Sequence, residues 1–122
     1  MVRSSLMICL LFTALASLPS VALAAVIAIK VVSDPSATYH LLRSSRLATG
    51  NLQVITRRQG RSGISFARRE VNCSAMTFRY LGEGDTLAQA LSNSRNQGRM
   101  TEAMSTSISG EVSRFACKRA TK

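Results

Sequence analysis

The sequence predicts an α+β domain: an antiparallel meander of about four β-strands with two C-terminal helices packed on it and one disulfide. Three observations carry this. Strand-like segments come first and helix-like ones last, an order that favours an antiparallel sheet with appended helices over a parallel α/β sheet. The segment from Cys73 to Leu81 alternates with period two, Met76, Phe78 and Tyr80 against Ala75, Thr77 and Arg79. Once an N-terminal export signal is set aside, two cysteines remain, Cys73 at the last strand and Cys117 in the last helix.

The elements follow in order. Arg3 precedes an apolar run from Leu6 to Leu18, then Pro19, Ser20 and Ala22-Leu23-Ala24, which has small residues at the −3 and −1 positions of a cut before Ala25. Residues 1–24 are therefore read as a secretory signal peptide, and 25–122 as one small exported domain. The alternative is an uncleaved anchor extended through Val26, Ile27 and Ile29, against which Pro19 and Ser20 argue. A lipid anchor is disfavoured because Cys9 lies inside the run and follows Ile8. No second apolar span follows, so the mature chain is expected to lack a transmembrane segment. Ala25 to Val32 reads as a lead-in strand or loose segment, broken by Ser33-Asp34-Pro35-Ser36. Thr38 to Arg43, Leu52 to Arg58 and Ile64 to Asn72 read as strands. The first two are separated by the turn Thr49-Gly50-Asn51. The last two are joined by Gln59 to Gly63, whose two glycines are expected to supply positive φ. Gly82-Glu83-Gly84 is expected to end the fourth strand. Asp85 or Thr86 then caps a helix to about Gln97, Thr86 and Gln89 having capping-box spacing. A second helix from near Ser107 places Ile108, Val112, Phe115 and Ala116 at helical spacing, with Lys118 and Arg119 at its negative end.

Composition bounds the rest. The chain has 122 residues, enough for one small domain. Cleavage before Ala25 would leave 15 Lys and Arg against 6 Asp and Glu, a formal charge of +9. A core this small gains from a covalent link. In an oxidising compartment a Cys73–Cys117 bridge closes a loop of 44 residues. In the chain-entropy model that loop contributes about 4 kcal/mol.

The chemistry-bearing residues are few. With one histidine and two cysteines that fit a bridge, neither a metal cluster nor a Cys/His nucleophile pair is expected, and no cofactor. Phosphate-cradling and nucleophile-elbow motifs are absent from the sequence. Asn72-Cys73-Ser74 matches a glycosylation triplet whose central Cys is expected to be bonded. A ribonuclease-like couple could be written with His40, Glu70 and Arg68, but it lacks a second histidine and aromatic base-stacking residues. The positive signal is arginine: Arg57, Arg58, Arg61, Arg68 and Arg69 fall within thirteen residues of one hairpin, with Arg43 and Arg46 upstream. Guanidinium groups hold phosphates, sulfates or carboxylates bidentately. The alternative is a solvated hairpin, because adjacent arginines in a strand point to opposite faces.

An export signal, a Tyr-led strand, a Gly-Asn turn, a hairpin running into Glu70-Val71-Asn72-Cys73, a strand ending Arg79-Tyr80-Leu81-Gly82 and a last helix holding Cys117 resemble the small bacterial envelope proteins related to surface-adhesin protein E. The resemblance implies an antiparallel sheet with two helices and the Cys73–Cys117 bridge. It also implies a bacterial source, and it carries over no ligand-binding residues. The chain is thus expected to be a non-catalytic envelope protein, periplasmic or surface-associated, with a structural or binding role. The runner-up is an anion binder that holds lipopolysaccharide or another acidic polymer with the Arg-rich hairpin; the ribonuclease-like enzyme comes third. Nucleic acid is a poor partner for an exported chain with few aromatics. An inhibitor of lysozyme is disfavoured because a +9 chain repels another cation.

Overall fold

The computed structural model describes residues 15–17, 26–92 and 97–121. The expected signal peptide lies almost entirely outside these, as do residues 93–96 of the expected first helix. The chain folds as one antiparallel sheet in sequence order, β1 (Ile27–Ile29), β2 (Thr38–Arg46), β3 (Leu52–Gly60), β4 (Gly63–Asn72), β5 (Thr77–Gly84) and β6 (Thr101–Glu102). A short helical segment α1 (Leu87–Leu91) follows β5, and α2 (Ile108–Ala120) closes the chain. The meander, the C-terminal helix and the disulfide are as the sequence predicts. Among the described residues the strand count is six rather than about four. β1 falls within the expected lead-in segment Ala25 to Val32, and the unanticipated β6 is two residues long, too short to show an alternation.

Local chemistry explains the shifted boundaries. The turn at Thr49-Gly50-Asn51 is present, closed by the Gly50 N–H on the Leu47 carbonyl at 2.9 Å with Gly50 at φ +88°. The β3–β4 hairpin is tighter than expected. Gly60 pairs with Gly63, which leaves a two-residue loop, and only Gly63 takes positive φ, at +113°. Cys73 to Met76, expected to begin the alternating strand, is instead a turn, because Asn72 Oδ1 accepts from the amides of Ser74 and Ala75, both at 3.0 Å. At the other end β5 does not stop at Gly82 but pairs on through Gly84 with Phe66. Gly82 is there for close approach: a Cβ on it would meet the Ala90 carbonyl oxygen, so only glycine lets α1 lie on the strand.

The expected capping box holds, Thr86 and Gln89 each bonding the other's backbone. α1 ends after Leu91, short of the expected Gln97, since Ser92 is already extended at ψ 147°. Ser107 caps α2 by accepting from the Gly110 amide at 3.0 Å. Strand alternation sends Leu52, Val54 and Val71 to one face of the sheet, where they pack with Tyr39, Leu41, Val112 and Ala116 into the core. α2 therefore covers that face, and Cys73–Cys117 ties its last turns to the β4–β5 turn with a Cα–Cα distance of 5.6 Å. α1 lies on the opposite face, with Ala90 fully buried against β4 and β5.

Candidate functional site

The β3–β4 register decides where the arginines go. Arg57 pairs with Phe66 and Arg58 with Ser65, while Arg68 and Arg69 oppose Ile55 and Val54. Successive residues face opposite ways, so Arg58 and Arg69 lie on the α2 face, Arg57 and Arg68 on the α1 face, and Arg61 in the loop at the hairpin tip. The five do not form one patch.

Three of them are engaged inside the fold. Arg58, opposite Tyr39 on β2, donates from Nε to Asp34 Oδ2 at 2.9 Å and to the Tyr39 hydroxyl at 3.1 Å. Tyr39 donates to the same Asp34 oxygen at 2.7 Å. These bonds, from Tyr39 first and Arg58 second, hold the Asp34 carboxyl below its ordinary 3.8. Arg68 is 8% exposed and clips α1 to the sheet. Its Nε donates to the Ala90 carbonyl at 2.9 Å, and one terminal nitrogen donates to the carbonyls of Leu81 at 3.2 Å and Ser92 at 3.1 Å. Arg69 is 3% exposed and bonds only hydroxyls: Ser109 Oγ at 3.1 Å, Thr56 Oγ1 at 2.8 Å and the Tyr80 hydroxyl at 3.4 Å. Its guanidinium also stacks over the Tyr80 ring at 4.9 Å. Arg61 is exposed and Arg57 half-buried, bonded only to its neighbour Gln59.

The acids are similarly committed. Glu70 accepts from Asn51 at 2.8 Å and from Arg79 at 2.8 and 3.0 Å. The Asn51 bond first, and Arg79 after it, outweigh burial and keep the Glu70 carboxyl below its ordinary 4.5. Glu111 on α2 accepts from the Val32 and Ser33 amides and the Ser33 hydroxyl, which holds the loop after β1 and lowers its pKa in turn. His40 sits opposite Arg57 and Glu70 opposite Gln53, four residues further along β3. That spacing is about 14 Å, so the two are not brought together as an acid/base couple. Among the described residues no three His, Cys, Asp or Glu side chains are grouped to hold a metal ion, and no helix is long and apolar enough to cross a membrane.

On the α2 face an open cavity of about 390 Å³ lies where β3, β4 and β5 pass the first turn of α2. Thr56, Arg58, Arg69, Tyr80, Glu83 and Asp85 line it. A larger cavity of about 660 Å³ along β5 is flanked by Ser92 and Gly98, on either side of residues outside the description. Sequence reasoning found Arg58 and Arg69 but not their hydrogen-bond partners. Thr56 on β3, Tyr80 on β5, Ser109 on α2 and Asp34 in the loop before β2 come together only in the folded chain. No family model, curated protein or solved structure matches the chain.

Proposed function

We propose that the chain is an exported envelope protein, periplasmic or surface-associated, that binds rather than catalyses. The Cys73–Cys117 bridge carries this reading, because such a link persists in oxidising compartments and fits the export signal read at residues 1–24. The engagement of Asp34, Glu70, Glu111, Arg58 and Arg68 in structural bonds supports the non-catalytic part, as does the separation of His40 from Glu70. The resemblance to the relatives of surface-adhesin protein E belongs to this reading. The test is turnover of generic ester, phosphodiester, peptide and glycoside substrates by the oxidised protein. Background rates are expected, and turnover lost in His40→Ala would overturn the reading.

A second reading, retention of lipopolysaccharide or another acidic polymer by the hairpin, is favoured by one observation. Arg61 at the tip is exposed and Arg57 has only Gln59 as a partner, so their guanidiniums remain open to anions.

A further inference from the structure

The least expected group in the fold is the Arg69 guanidinium. It is buried, and its partners are three neutral hydroxyls. All six acidic side chains of the protein lie among the described residues, and none is within salt-bridge distance of it. Asp34 and Glu70 are paired with Arg58 and Arg79 instead. Removing a cation from water without a counter-charge is costly, and hydroxyl dipoles compensate only in part. Departures of this kind from local stability rules are expected at functional or strained sites, and this one lies at the wall of a cavity.

The same cavity is also lined by two acids, Glu83 and Asp85. Glu83 pairs with Ala67, on the same face as Arg69 and two residues from it along β4. Asp85 follows β5 directly, and both acids are exposed. A simple anion drawn to Arg69 would be repelled by Glu83 and Asp85, and a simple cation by Arg69. A molecule carrying both charges answers both. The register sets Arg69 and the Ala67–Glu83 pair two residues apart, about 7 Å along the backbone, so one small molecule can reach groups of both signs through charge-assisted hydrogen bonds. A cavity of about 390 Å³ lies toward the small end of ligand sites. We propose that it holds a small zwitterion of the α-amino acid class, its carboxylate on Arg69 and its ammonium toward Glu83 and Asp85. This rests on the binding reading above and names its ligand class.

The experiment is calorimetric titration of the oxidised chain with a panel of free L- and D-amino acids, each compared with its N-acetyl and its carboxamide form. At least one free amino acid should saturate the protein, with both blocked forms weaker by about tenfold or more. The double variant Glu83→Gln, Asp85→Asn changes only exposed groups. It should weaken the free amino acid by a similar factor and narrow its lead over the N-acetyl form. Arg69→Gln should remove binding; if that variant does not fold, the rim variant decides. No saturable binding by any member, equal binding of blocked forms, or a rim variant that binds as the parent does would each overturn the proposal. Those results leave the broader binding reading in place, which only turnover removes.

Discussion

Arg68→Met tests whether the arginines of the β3–β4 hairpin divide into internal clamps and surface charges. Methionine keeps most of the aliphatic stem and removes the guanidinium that joins Ala90, Leu81 and Ser92. Ser92 is exposed, so its carbonyl regains water, whereas Leu81 and Ala90 are buried. Two buried acceptors left without donors, at about 1 to 3 kcal/mol each and offset by relief of guanidinium desolvation, give an expected loss of about 3 kcal/mol. For a domain of this size that corresponds to a fall of about 15 °C in Tm. Urea denaturation supplies the global value, and hydrogen exchange at the Ala90 and Ser92 amides should report earlier opening of α1. Arg57→Met, on the same face but without such partners, should stay within about 0.5 kcal/mol of the parent. Equal, small changes in both variants would refute the reasoning, because the Arg68 guanidinium would then not be what holds α1 on the sheet.

Three further outcomes are expected. Reducing Cys73–Cys117, whose loop spans 44 residues, should lower stability by about 4 kcal/mol in denaturant titrations with and without a thiol reductant. Acid should destabilise the fold, because Asp34, Glu70 and Glu111 all have folded-state values below their ordinary 3.8 or 4.5. Their contributions are complete above those ordinary values and fade as pH falls through the lowered ones, and Glu111→Gln should flatten that acid limb in pH-dependent denaturation. Replacing Arg57 and Arg61 by Ser should weaken salt-sensitive retention on lipopolysaccharide or heparin-like matrices more than replacing Arg99 and Arg119 does. Equal losses in the two pairs would mean that only total charge matters.

The long strands, the last helix and the bridge were legible in the sequence because each leaves a local mark: alternation through Phe78 and Tyr80, helical spacing through Val112 and Ala116, and two cysteines once residues 1–24 are set aside. The short strand β6 was not, since pairing of Thr101 and Glu102 with β5 is decided by a neighbour and not by their own pattern. The end of α1 was missed for a similar reason. Its limit at Leu91 coincides with the Arg68 clip on Ala90 and Ser92, a contact made from 22 and 24 residues away. The arginine cluster was visible as composition, but its meaning depended on register. Asp34 looked like part of a loop breaker, yet it anchors Tyr39 and Arg58, and no short-range signal marks that. The cavity was the least legible feature, because Arg69, Thr56, Tyr80 and Glu83 approach one another only in the folded sheet.

The central claim, a disulfide-linked domain working outside the reducing cytoplasm, is tested most directly by the intact mass of the protein recovered from its native compartment, measured before and after reduction and alkylation. The account predicts a chain beginning at Ala25 that gains two hydrogens on reduction and takes up alkylating reagent at Cys73 and Cys117 only afterwards. A chain that retains Arg3, or one whose two thiols are alkylated without reduction, would contradict it.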